Sequence, residues 1–191
     1  NVIDLNFYPL RKVKATNLKS RSIGLGVMGE AEMLADYKLN WGSNEHFKKI
    51  DQIMESISYN VIKSSSNLAV EKGIYPTFNG SNWSKGIMPH DHAPQAVNAL
   101  VNKDLFDASY DWDVLREKVK KDGMRNGYLM AVAPTSSISI LVGTTQAIEP
   151  VYKRKWFEEN LSGLIPVVVP KPSPETWNYY TPAFEIDQLQ V

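Results

Sequence analysis

From Asn44 to Lys72 the chain reads "NEHFKKIDQIMESISYNVIKSSSNLAVEK", with neither proline nor glycine, and Phe47, Ile50, Met54, Ile57 and Val61 recur along it at steps of three or four. Those steps place the five side chains on one helical face. Asn44 is a residue type that caps helix starts, and Gly73 suits a helix end because it reaches the left-handed conformation without steric cost. The spacing predicts a helix over 44–73. An apolar stripe of that length must be covered by other elements, so it reads as core and not as a cofactor surface.

The remainder breaks into shorter pieces. Residues 1–22 form a basic, irregular lead-in, followed by a short strand, Ile23 to Val27, and a helix over Glu30 to Leu39. Residues 74–96 are a loop rich in Pro, Gly, Asn and His. A helix is expected from about Asp111 to Lys121, stopped by Gly123. "GYLMAVAP" reads as a buried strand over 128–133 ending at Pro134, and a helix is expected to begin within a residue or two of Ser136. From Leu164 the chain carries Pro166, Pro170, Pro172, Pro174 and Pro182, so 164–191 reads as an extended, irregular tail. Helices alternating with short strands define the class as α/β.

A chain of 191 residues, 43% hydrophobic and with five Trp, nine Tyr and six Phe, is large enough for one domain with a real core. Twenty-one basic residues balance twenty-one acidic ones, which argues against a sequence-wide nucleic-acid or membrane footprint. No apolar run approaches the roughly 18 residues of a membrane span. There are no cysteines, so disulfides, thiolate metal sites and cysteine chemistry by this chain are excluded. The chain opens on Asn1-Val2-Ile3-Asp4, inside an amphipathic segment, and stops at Val191 without a stop signal. It is expected to be a piece of something longer.

"GLGVMG", residues 24–29, matches the G-x-G-x-x-G fingerprint of dinucleotide-binding turns. That turn needs a buried apolar strand just before it and an acidic residue about 20 positions on. Upstream stands "RKVKATNLKSRSI" with five basic residues, and Glu45 and Asp51 fall in the long helical pattern. The glycines are better explained by another backbone packing closely against the short strand. A nicotinamide-dependent dehydrogenase is therefore disfavoured.

Candidate sites are few. His90 and His92 flank Asp91, but no third ligand stands at metal-site spacing, so they read as solvated loop residues. His46, near a helix start, reads as a surface residue, and Tyr179-Tyr180 as two packed aromatics. The strongest local signal is "MAVAPTSSISILVG". Thr135, Ser136, Ser137 and Ser139 place four hydroxyls within five residues at a helix start. A single cap needs one hydroxyl. Several hydroxyls beside free backbone N–H groups make an anion site, above all for phosphate.

The stretch "WDVLREKVKKDGMRNGYLMAVAPTSSISILVGTTQAIEP" closely resembles the large, catalytic subunit of ribonucleotide reductase. Trp112, Leu115, Gly123, Met124, Arg125, Asn126, Ala131 and Pro134 meet that family's signature spacing, eight positions over 23 residues. Ile148-Glu149-Pro150 and "KSRSIGLGVMGEAEMLA" are also typical of the family, and the similarity spans essentially the whole chain, weakest after Pro170. It implies part of a ten-stranded α/β barrel, helix-rich in this portion, over 1–191. By position, Pro134, Thr135, Ser136, Ser137 and Ile138 would grip the phosphates of a ribonucleoside diphosphate. Many relatives carry Glu or Gly at the position of Ser136, so backbone N–H groups are the shared contacts. The family's radical-relay tyrosines stand in a different context from Tyr179-Tyr180, which are not matched to them.

The family's radical and reducing cysteines are absent, so no catalytic residue is assigned here, and the isolated piece is expected to be inactive and to self-associate or be marginally stable. The Asn and Glu beside the radical cysteine are expected upstream of residue 1. The resemblance further implies a homodimer of large subunits, thioredoxin or glutaredoxin as reductant, and a cytoplasmic setting in deoxyribonucleotide synthesis. "YKRKWFEENLSGLIPVVVP" favours the class whose radical comes from a diiron or dimanganese small subunit over the adenosylcobalamin class. The alternative is a non-catalytic nucleotide-binding or interaction module.

Overall fold

The computed structural model describes residues 2–92, 108–161 and 163–186. In chain order its helices are α1 (Val2–Leu5), α2 (Arg11–Ser20), α3 (Glu30–Tyr37), α4 (Asn44–Lys72), α5 (Trp112–Asp122) and α6 (Ser136–Val142), and its strands are β1 (Lys155–Asn160) and β2 (Gly163–Val168). Contacts divide the chain into one unit of Asn1–Leu25 with Asp51–Ala131, and a second of Gly26–Ile50 with Val132–Val191.

In the first unit the expected irregular lead-in is helical. α1 and α2 bury no side chain of their own; Arg21 holds their ends together. At φ 47° it closes α2, its N–H on the Asn17 carbonyl, while its guanidinium grips both Asp4 oxygens at 2.8 and 2.6 Å. Fork-to-carboxylate geometry supplies the connection that an apolar face would otherwise provide.

The long helix forms as its pattern predicts, with one shift at its start. Ser43, not Asn44, is the cap, its Oγ accepting the His46 N–H at 3.1 Å. Gly73 ends the helix at φ +83°, its N–H on the Ala69 carbonyl. The stripe from Phe47 to Val61 is only half-buried, and the fully covered line lies further on, at Ile62, Ser65, Ser66 and Ala69. The reason is the path of the segment after α5. Arg125 donates its backbone N–H to the Ser65 carbonyl, Ser65 Oγ donates to Asn126 Oδ1 at 2.9 Å, and Asn126 Nδ2 donates to the Arg21 carbonyl at 2.8 Å.

That segment explains much of the eight-residue signature. Leu115 and Met124 are buried with Ile62, Tyr75, Phe78, Met88, Val119 and Leu129, and a full burial of such a side chain contributes about 1.5–3 kcal/mol. Arg125 donates to the Lys72 and Gly73 carbonyls, satisfying the open end of α4. Asp111 caps α5 by accepting the Val114 N–H, and Gly123 closes it. The signature residues Leu115, Met124 and Arg125, with Gly123 ending the helix, thus fasten α5 and the following segment to α4.

The expected buried strand over 128–133 is only partly realised. Ile23 and Leu25 donate N–H groups to the Tyr128 and Leu129 carbonyls, and Ala131 donates to Leu25, a parallel pairing with one bridge, Leu25 to Met130. Leu129 is buried, but 131–134 are exposed. Among the described residues the pair has no further strand beside it, and a parallel strand is buried only when neighbours and helices cover it. The expected strand over Ile23–Val27 is likewise reduced to this bridge. Gly24 does serve close approach, since a Cβ there would come within 3.2 Å of Ala131 Cβ.

In the second unit α3 starts from Gly29 at φ +92° and buries Ala31, Leu34 and Ala35. Ala31 and Ala35 cluster with Val151, Val169 and Tyr180. The tail from Leu164 begins not as irregular chain but as β2, paired antiparallel with β1. Pro166, opposite Phe157, donates no N–H, which a two-stranded sheet tolerates because each strand has a free edge. After β2 come two short 3-10 turns, Trp177–Tyr179 and Ala183–Glu185; the tail's last residues, 187–191, and the loop's end at 93–96 lie outside the described residues. No helix among the described residues is long and apolar enough to cross a membrane.

Candidate functional site

The turn at Pro134–Ile138 is made as its residue types suggest, with a difference in what its hydroxyls do. α6 starts at Ser136, as expected. Thr135 occupies the cap position at φ 54°, and its side chain makes no capping bond. Ser139 donates the first helical bond, to the Thr135 carbonyl at 2.8 Å. The N–H groups of Ser136, Ser137 and Ile138 therefore stand ahead of the hydrogen-bonded ladder, without intrahelical partners. Of the four hydroxyls, two are used internally: Thr135 Oγ1 accepts the Ala147 N–H at 2.9 Å and Ser139 Oγ donates to the Ser136 carbonyl at 3.2 Å. Those of Ser136 and Ser137, on exposed residues, make no hydrogen bond among the described residues.

The turn sits on a frame that its own sequence does not reveal. Ala147, 3% exposed and at φ 35°, donates to Thr135 and accepts the Glu30 N–H through its carbonyl. At the other end of α6, Thr144 Oγ1 donates to the Glu32 carboxylate, and the Glu32 N–H donates to Thr145 Oγ1 at 3.2 Å. Gly29 is required beside this knot: a Cβ would come within 2.6 Å of Thr144 Oγ1. Lys171 reaches Glu32 at 2.8 Å and Asp36 at 3.1 Å. Its hydrogen bonds to Glu32 and Asp36 hold the ammonium well above the ordinary lysine range. Both ends of the short helix are thus tied to the first turn of α3. The signal was weak in sequence, since two threonines after a C-cap glycine read as ordinary loop residues.

A cavity of about 780 Å³ opens in the same unit, walled by Ser139, Ile140 and Gly143 of α6 and its C-cap, by Thr144 and Glu149 among others of the following loop, and by hairpin residues such as Trp156 and Ile165. None of Pro134 to Ile138 lines it; the wall begins one residue later, at Ser139. Its size falls in the range of small-molecule sites.

Other candidates resolve differently. His46 is not on the surface: it is 4% exposed, accepts the Gly42 N–H at Nδ1, and so presents Nε2–H to Glu30 at 2.9 Å. Tyr180 is fully buried and donates its hydroxyl to the Pro170 carbonyl, a packed aromatic as expected. Burial, then the charges of Glu32 and Asp36, push its pKa above the usual phenol range. Asp91 is held by Arg116, at 2.6 and 3.1 Å, and by the Met88 N–H. His90 stacks edge-on against Trp112. The side chain of His92 lies outside the described residues. Gly24 and Gly29 lie where a side chain would meet Ala131 and Thr144 respectively.

A family model described as ribonucleotide reductase, barrel domain, matches residues 1–179. The chain is 68% identical over 187 residues to the ribonucleoside-diphosphate reductase subunit alpha of Helicobacter pylori, covering 98% of this chain and 24% of that protein. It is 41% identical over 188 residues to the same subunit of Treponema pallidum, covering 98% of this chain and 21% of that protein. It is 34% identical over 169 residues to the large subunit of the Danio rerio reductase, covering 88% of this chain and 20% of that protein. The chain therefore spans about a quarter, or less, of the length of these curated relatives. With a family model covering nearly all of it and the signature residues placed where they fasten one element to the next, this chain belongs to the ribonucleotide reductase barrel-domain family.

Proposed function

We propose that this chain is a segment of the catalytic subunit of a ribonucleoside-diphosphate reductase, contributing residues 1–191 to its ten-stranded α/β barrel, and that Pro134, Thr135, Ser136, Ser137 and Ile138 grip the substrate's phosphates. The observation that carries the second part is the uncapped start of α6. Its cap residue spends its hydroxyl on Ala147, leaving three backbone N–H groups and the Ser136 and Ser137 hydroxyls exposed together. Partial positive charge at a helix start favours an anion there. The cavity that begins at Ser139 leaves room for the nucleoside beside the turn.

The whole protein would replace the ribose 2′-hydroxyl by hydrogen through radical chemistry. Because the chain contains no cysteine, the thiol steps fall to residues outside it, and this segment binds and orients. The radical would come from a dimetal small subunit rather than adenosylcobalamin, the electrons from thioredoxin or glutaredoxin, and the large subunit would act as an allosteric homodimer in the cytoplasm, supplying DNA replication.

The test is steady-state kinetics of the full-length subunit with its radical-generating partner. A hydrogen bond to a charged group contributes about 1.5–3 kcal/mol, so Ser137→Ala should raise KM roughly tenfold or more with a smaller change in kcat. Ser137→Asp should be worse, since it sets a negative charge where another must bind. Unchanged KM in both variants would remove the turn from the substrate site.

A further inference from the structure

We infer that Thr135 is a positioning residue: its hydroxyl holds the phosphate turn in shape by accepting the Ala147 N–H. The inference rests on the reading of residues 134–138 given above. Thr135 is β-branched and sits at φ 54°, a conformation such residues rarely adopt unless the surroundings impose it. Local chain alone does not impose it, because the Thr135 side chain makes no capping bond to its own helix.

What imposes it is the bond to Ala147 at 2.9 Å, twelve residues on. Ala147 can serve as an anchor because it is itself immobilised, buried to 3% exposure with its carbonyl receiving the Glu30 N–H. The far end of α6 is fastened to the same turn of α3 through Thr144 and Glu32. With both ends held, the N–H groups of Ser136, Ser137 and Ile138 keep one direction before any ligand arrives. Preorganised donors bind an anion without the cost of ordering them at the moment of binding.

The experiment uses the full-length subunit and its radical-generating partner, with Thr135→Val, which keeps the side-chain shape but removes the hydroxyl, and Thr135→Ser, which restores it. Two quantities are read: amide hydrogen exchange at Ala147 without ligand, and KM and kcat for the nucleoside diphosphate. In Thr135→Val, exchange at Ala147 should quicken about tenfold and KM should rise by a similar factor, with kcat changing less, as for the loss of one net hydrogen bond. Thr135→Ser should return both to near wild type.

A raised KM with unchanged exchange would mean that the hydroxyl acts directly on phosphate, and would overturn the positioning role. Faster exchange with unchanged KM would overturn the phosphate reading of the turn and the positioning role with it. Neither quantity moving would show that the bond holds nothing, which also overturns the inference.

Discussion

Replacing Gly123 with Ala tests the claim that the family signature is largely a fastening device. Gly123 stands at φ 79°, ψ −169°, at the end of α5. That corner of backbone space is essentially closed to side chains, and occupying it costs on the order of 1–3 kcal/mol. There is a second cost. A Cβ at this position would fall on Ile74 Cγ2, far inside contact distance. Overpacking of this kind typically costs another 1–3 kcal/mol. The sum is about 2–6 kcal/mol of local stability.

Native-state hydrogen exchange reads that loss directly at two amides of the joint: Gly123, which donates to the Val119 carbonyl at 2.9 Å, and Tyr75, which donates to Met124 at 2.9 Å. Both should lose protection together, because the first closes α5 and the second ties the chain after α4 to the signature segment. The two costs can be separated. Adding Ile74→Ala removes the obstructing methyl, so the increment over Ile74→Ala alone should fall to the backbone strain, about 1–3 kcal/mol. If Gly123→Ala shifts protection at both amides by less than about 0.5 kcal/mol, within the range of an ordinary surface change, the reasoning is wrong.

Two further outcomes are expected. Hydrogen bonds from Arg116, then from the Met88 N–H, hold the Asp91 carboxyl well below the usual carboxylate range. A depressed folded-state pKa stabilises fully above the unfolded value near 3.9 and loses that contribution as pH falls below it; protection of the Met88 amide, corrected for intrinsic rate, should therefore decline below about pH 4, and equal protection at pH 5 and pH 2.5 would refute this. Asn126→Ala should cost about 2–4 kcal/mol at the Arg125–Asn126 joint, since it removes the acceptor of the buried Ser65 O–H and the donor to the Arg21 carbonyl, while the backbone N–H of residue 126 still reaches Ser65 Oγ; loss of protection at the Arg125 amide measures it.

What the residues determined by themselves is local. The 44–73 helix, the Asp111 cap, the Gly73 and Gly123 stops and the start of α6 near Ser136 depend on spacing and on the φ each residue type can reach, and such preferences act without a neighbour. The turn at Pro134–Ile138 was legible for the same reason, because clustered hydroxyls at a helix start are a chemical signal in one dimension. Tertiary structure decided which of those preferences mattered. It turned Thr135 and Ser139 inward to serve the backbone, left Ser136 and Ser137 open, and moved the buried line of α4 from Ile57 to Ile62 because the 124–130 segment crosses there. It buried His46 by bringing Glu30 to its Nε2 across sixteen residues. It also made a strand of Gly163–Val168 despite Pro166, since β1 supplied a partner whose register demands nothing of the missing N–H. A pairing between distant residues leaves no periodic trace in either partner, so Thr144, Glu32, Lys171 and Ala147 emerge as the frame of the turn only when the chain is folded.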